Sequence, residues 1–109
     1  MIRSEFVIRN NKIQSFTVKG HAMSAPAPHD TVCAAVSAMT MLVINTVTDV
    51  FHAKIFLVQD DEKPLISLTL ESIPDGFESG VQGVLRGFYL QLQDLALQVP
   101  ENLSVRTKE

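Results

Sequence analysis

The chain has 109 residues, of which 46% are hydrophobic and 19% are charged, and its formal net charge is −3. This length suffices for one domain over residues 1–109, and the composition is that of a globular protein and excludes disorder. No cluster of Lys and Arg appears in the sequence, so a direct nucleic-acid partner is not expected. A single cysteine cannot form an internal disulfide, which favours a reducing compartment such as the cytoplasm.

The first twenty residues predict a β-hairpin. Polar and apolar residues alternate over residues 2–9 and again over residues 12–19, which is the period of half-buried strands. Asn10 and Asn11 lie between the two runs, and asparagine tolerates the left-handed backbone of a tight turn. We therefore expect two antiparallel strands that end at Gly20.

An irregular segment and a long helix are predicted next. Pro26 and Pro28 interrupt residues 22–29, and Asp30 is a good helix N-cap. Apolar residues then recur at helical spacing and form a predicted buried stripe that also includes one threonine: Val32, Ala35, Val36, Met39, Val43, Thr46, Val47 and Val50. The run 31–48 carries no charge but has six polar residues, so we expect a core helix and no membrane span.

The second half repeats the pattern of two strands and a helix. Residues 53–58 and 65–70 predict a hairpin around the polar turn 59–64, and residues 81–99 repeat at helical spacing. Gly80, Gly83 and Gly87 share one face of this second helix, which predicts close approach of a neighbouring element. With a short last strand at 103–107, the order ββαββα(β) predicts an α+β fold, a small mixed sheet with two main helices.

The only cysteine lies where a helix begins. If Asp30 is the N-cap, Cys33 is the third helical residue, and free N–H groups and the helix dipole favour a thiolate there. The same N–H groups are candidates for an oxyanion hole. His21 follows the end of the second strand and is a candidate base for the thiol, while Ser37 lies one turn after Cys33 on the same face.

Less specific interpretations remain open at this point. Cys33 can also be a small buried hydrophobic residue in a binding or assembly module, and a thiol redox protein would need a resolving cysteine that the chain lacks. His29 is an alternative base, although beside the predicted cap we expect it to face solvent, and His52 is expected to be structural or at the surface. The scattered histidines form no metal-ligand motif, so neither a metal nor a cofactor is predicted.

Two short segments carry a resemblance to a known family. Gly20-His21-Ala22, followed by Asp30-Thr31-Val32-Cys33-Ala34-Ala35-Val36-Ser37, resembles the signature of the ribosomal-processing cysteine protease family, Prp. The predicted order of strands and helices also resembles that family over most of the chain. The resemblance implies a catalytic dyad of His21 and Cys33, supported by Asp30, Ser37 and Gly20. Pro28 stands where family members commonly carry glycine, which implies a stiffer loop.

The resemblance also implies a biological role. It implies a homodimeric endopeptidase that removes the N-terminal extension of a large-subunit ribosomal protein. The wide apolar stripe of the first helix also favours a dimer. The composition and motifs described above favour a cytoplasmic protein without a membrane, direct nucleic-acid or cofactor partner. The acidic balance of the chain suits a basic ribosomal substrate. We expect the substrate loop to close over an extended peptide; its residues are Ala22, Met23, Ser24, Ala25, Pro26, Ala27, Pro28 and His29.

Overall fold

The computed structural model describes residues 1–20, 29–60, 62 and 64–109, and for His29 and Asp30 it describes the backbone. Its elements occur in the predicted order. They are β1 (Ile2–Arg9), β2 (Lys12–Lys19), α1 (His29–Asn45) with a π-helical continuation (Thr46–Val50), β3 (Lys54–Asp60), β4 (Leu65–Ser72), α2 (Glu78–Gln98) and β5 (Leu103–Lys108). The predicted α+β fold is confirmed, including the last strand.

The five strands form one mixed sheet in the order β3-β4-β2-β1-β5. β1 and β5 are parallel, whereas the other three neighbouring pairs are antiparallel. It follows that β4 and β5 run in the same direction, and α2 connects them by crossing over β2 and β1. Asn10 and Asn11 have φ angles of 52° and 63°, the left-handed turn predicted for the first hairpin.

Both helices pack on the same face of the sheet. Phe88 of α2 meets Phe6 of β1 and Phe16 of β2 edge-on, with ring centroids 5.7 Å and 5.0 Å apart. The other face is more polar, and the Thr17 and Ser67 hydroxyls are hydrogen-bonded across β2 and β4 at 3.0 Å. The alternation seen in the sequence therefore separates a helix-covered face from an open face.

The predicted stripe of α1 enters the core over most of its length, but Ala35 near its beginning and Val50 at its end are exposed. Val36, Val43 and Val47 are buried, but Val50 is 60% exposed. The N–H of Phe51 donates to the carbonyl of Thr46 at 3.0 Å, which is the i→i−5 bond of a π-turn. Because a π-turn holds more residues than an α-turn, the apolar period slips and Val50 leaves the core.

Three threonines of α1 and its π-helical continuation are hydrogen-bonded within the helix. The hydroxyls of Thr40, Thr46 and Thr48 each donate to the carbonyl four residues earlier, at 2.7–2.8 Å. The segment Thr31–Val50 is long and apolar enough to cross a membrane by length and composition alone, and 33% of that window is buried. The burial of Val36 and Val43 among sheet residues supports the predicted core helix.

Close approach of the two helices occurs at one of the three predicted glycines. A Cβ at Gly80 would lie 2.6 Å from the Phe51 ring, whereas at Gly83 and Gly87 it would meet none of the described atoms within 4 Å. The prediction is therefore wrong for the latter two. Beyond Gly80 the helices leave an apolar groove of about 320 Å³ between them, lined by Met39, Leu42, Val43, Thr46, Val84, Gly87, Phe88 and Gln91.

Candidate active site

Gly20 lies at the end of the sheet where β2 stops and β1, β4 and β5 begin. Its N–H donates to the carbonyl of Pro64, just before β4, at 2.8 Å. Its φ is +82°, and a Cβ there would overlap the carbonyl oxygen of Met1. Only glycine satisfies both conditions without strain. The glycine before His21 is therefore required by the structure, because the backbone after β2 passes between Met1 and Pro64 with no space for a side chain.

The N-terminal part of α1 lies at the same end of the molecule. The far end of α1 leads into Phe51, which contacts Phe77 and Gly80 at the start of α2. The end of α2 leads to β5, whose first residue pairs with the beginning of β1, beside Gly20. The two helices are therefore antiparallel. Since the end of α1 is near the start of α2, its beginning is on the side of Gly20.

The position of Cys33 within α1 differs from the prediction. The helix begins at His29, so Cys33 is its fifth residue and opens the second turn. The N–H groups without a helical acceptor precede Val32, so any amide donors for an oxyanion come from that first turn. Cys33 is 8% exposed and packs in the hydrophobic core cluster. The packed core residues around Cys33 therefore restrict the movement of its side chain.

Two further expectations at the helix start are wrong for the same reason. Asp30 lies within the first turn and not at the N-cap, and His29 belongs to the helix and not to the loop. Proline is tolerated at the start of a helix because its φ is already helical, so Pro28 in the sequence does not oppose a helix that begins at His29. Asp30 still lies at the positive end of the helix dipole.

The remaining predicted residues divide into those the structure describes and those it does not. Ser37 is half-buried and lies one turn after Cys33 on the same face of α1. His21 and the loop residues 22–28 lie outside the described residues, so the dyad and the loop closure stay predictions. His52 is exposed in a turn with a φ of 56°, in agreement with a surface position.

Sequence reasoning missed one contributor to this end of the sheet. The carbonyl of Pro64 anchors Gly20, but Pro64 reads in the sequence only as part of a polar turn. Only the pairing of β2 with β4, in which Lys19 stands opposite Leu65, would have placed Pro64 next to Gly20. Among the described residues no group of three His, Cys, Asp or Glu side chains can hold a metal ion.

Comparisons with known proteins agree with this geometry. The model of the family described as cysteine protease Prp matches residues 1–104. The structure of SMU.848 from Streptococcus mutans is 28% identical, with a TM-score of 0.88 over 99% of this chain and 97% of that one. No curated protein sequence matches the chain.

Two structures of an essential ribosomal processing protease Prp from S. aureus share the fold. The complex with a substrate peptide is 21% identical, with a TM-score of 0.86, and the complex with a covalently linked product peptide is 22% identical, with a TM-score of 0.82. In both cases the similarity covers 99% of this chain and 100% of the other.

Proposed function

Because the chain belongs to the cysteine protease Prp family, as the two sequence segments predicted, it is a cysteine protease, and we propose that Cys33 and His21 form its catalytic dyad. The observation that carries this proposal is the cysteine count. A cysteine protease needs a thiol nucleophile, and the chain contains one cysteine. Family membership also decides against the alternative of a non-enzymatic assembly module with a structural cysteine.

The proposed mechanism is acyl transfer in two steps. The Cys33 thiolate attacks the carbonyl carbon of the scissile peptide bond, and the His21 imidazolium donates a proton to the leaving amine. The resulting thioester is then attacked by water, whose proton passes to His21, and the thiolate is released with the carboxylate product. In this scheme the N–H groups of the first turn of α1 bind the oxyanion.

We propose the N-terminal extension of a large-subunit ribosomal protein as the substrate, in the cytoplasm. The S. aureus relatives are ribosomal processing proteases with bound peptides, which supports a peptide of this class. The net charge of −3 favours encounter with a basic ribosomal protein. The proposal includes a homodimer, for which the exposed apolar residues of the chain are the physical support.

The proposal is tested with a ribosomal-protein precursor. The precursor is incubated with the protein and with its Cys33→Ser variant, and the products are identified by mass spectrometry. We expect one cleavage near the N-terminus with the unaltered protein and an acyl-enzyme mass adduct on brief incubation. The variant should leave the precursor intact. Equal cleavage by the two proteins would contradict the assignment of Cys33.

His21 is tested by its effect on the thiol. His21→Ala should slow both cleavage and the alkylation of Cys33 by iodoacetamide near neutral pH, because the imidazolium no longer stabilises the thiolate. His29→Ala is the matched control, since His29 was the alternative base and lies in α1. A larger loss of cleavage in the His29 variant would reverse the assignment of the base.

A further inference from the structure

The outer strand β3 exposes an apolar edge. It pairs with β4 on one side and with none of the described strands on the other. Phe56 is 60% exposed, Leu57 40% and Val58 39%. Phe56 stands opposite Thr69 and lies on the open face of the sheet, whereas Leu57 stands opposite the buried Leu68 and lies on the helix-covered face. Apolar surface is thus exposed on both faces of one strand.

This strand lacks the usual protection of a sheet edge. Outer strands of soluble proteins commonly carry central charges, a proline or a bulge that prevents pairing with another chain. In β3 the charges are at the two ends, Lys54 and Asp60, and the sequence between them has no proline. The register shift near Lys54 is a bulge in β4, which has one extra residue there, so β3 itself contains no bulge. The backbone N–H and C=O groups on its outer edge can therefore pair with another strand.

The sequence of β3 is complementary to itself when two copies run antiparallel. With a two-fold axis at Leu57, Lys54 stands opposite Asp60 of the partner subunit, and the reciprocal pair forms at the other end. Phe56 stands opposite Val58 of the partner subunit. Opposite charges and aromatic–β-branched pairs are both favourable cross-strand neighbours.

We propose that β3 is the surface on which a second copy of this chain docks, by antiparallel β3–β3 pairing centred on Leu57. The two five-stranded sheets then form one ten-stranded sheet whose outer strands are the two copies of β5. In this register each residue on the helix-covered face of β3 stands opposite a residue on the same face of the second copy. The helices of both copies therefore lie on one face of the ten-stranded sheet. Only the existence of a second copy comes from the proposed function; the choice of surface rests on β3.

Disulfide cross-linking tests the register directly. Leu57→Cys is placed in a Cys33→Ser chain, and mild oxidation should give a covalent dimer on a non-reducing gel. Directly opposite Cα atoms are about 4.5–5.5 Å apart, within the range of a disulfide. The matched control is Phe56→Cys, whose two copies are about 7–8 Å apart on the diagonal and should not cross-link. Mixed Phe56→Cys and Val58→Cys chains should cross-link to each other.

Charge reversal gives a second measurement on chains that keep Cys33. Lys54→Asp should weaken self-association about tenfold, and so should Asp60→Lys, because each places like charges opposite each other twice. The double variant should recover the affinity of the unaltered chain in sedimentation equilibrium. A monomer mass for the unaltered chain at micromolar concentration would overturn the proposal, as would cross-linking through Leu42→Cys in the helix groove in place of Leu57→Cys.

Cleavage of the precursor is measured on the same samples. A chain that cleaves as a monomer overturns the β3 pairing and leaves the protease function intact. A dimer that cross-links through Leu57→Cys in the absence of any cleavage by the unaltered chain supports the pairing and counts against the proposed function.

Discussion

The two ends of α1 differ in what they require of their surroundings. At its beginning, Cys33 lies on the side of the molecule where Gly20 passes between Met1 and Pro64, and the contacts there are made by backbone atoms. At its end, a π-turn leads to Phe51, whose ring packs against Phe77 and leaves no room for a side chain at Gly80. The first end holds the proposed nucleophile, and the second end holds the two helices together. Substitutions near the beginning of α1 should accordingly lower activity, whereas substitutions at its end should lower stability alone.

The largest expected effect is the loss of cleavage in Cys33→Ala. Without the thiol no thioester forms, so turnover should fall to the rate of the buffer control. The unfolding free energy should fall by no more than about 1–2 kcal/mol, because the substitution removes only the one buried Sγ atom from the core. Urea denaturation and peptide cleavage are measured on the same preparation. Turnover above background would show that another group is the nucleophile.

At the same end, Gly20→Ala should lower stability and activity together. The alanine would need a positive φ and would overlap the carbonyl of Met1, at a cost of about 1–3 kcal/mol. The matched control is Gly76→Ala, which has a φ of +89° but no described atom within 4 Å. The difference between the two variants isolates the cost of the overlap. Equal melting temperatures of the two variants would show that the overlap with the Met1 carbonyl does not affect stability.

At the opposite end, Gly80→Ala should cost stability and leave the chemistry of the folded protein unchanged. The added methyl would press on the Phe51 ring, and overpacking of this kind costs about 1–3 kcal/mol. Gly83→Ala is the control, since its site is open and alanine favours the helix by about 1 kcal/mol. The Cys33 alkylation rate should be the same in both. A changed rate in Gly80→Ala would show that the two ends are coupled.

The smallest expected effect is at Asp30. In the first turn its charge interacts with the helix dipole, whereas at an N-cap its oxygen would accept a backbone hydrogen bond. The first-turn position predicts that Asp30→Asn and Asp30→Ala each cost about 0.3–1 kcal/mol at low ionic strength, and less in 1 M NaCl. Asn retaining the full stability of Asp would indicate a capping role and a later helix start.

Local patterns in the sequence were sufficient for most of the elements. Alternation in residues 2–9 and 12–19 identified β1 and β2, and Asn10-Asn11 identified their turn, because each depends on near neighbours alone. The pairing of β1 with β5 and of β2 with β4 was not predictable, since both join distant segments. The β2–β4 pairing brings the carbonyl of Pro64 to the Gly20 N–H, a contact that the local pattern does not reveal.

For the site, the sequence identified the helix and its cysteine but not the first residue of the helix. Asp30 and His29 are both compatible with a helix start, and competing local preferences of this size leave the boundary open by one or two residues. The open space beside Gly83 depends on how α1 and α2 cross, which the sequence of one helix does not reveal.

The parallel pairing of β1 with β5 has a consequence for biosynthesis. β1 finds its parallel neighbour about a hundred residues later in the chain, and the Ser4 hydroxyl donates to the carbonyl of Ser104 at 3.0 Å. Because α1 is synthesised before α2, its apolar residues lack the helix that packs against them until α2 has been made. Apolar surface that stays exposed during folding in this way favours aggregation of the incomplete chain. Its protease domain completes its sheet only after β5 has emerged.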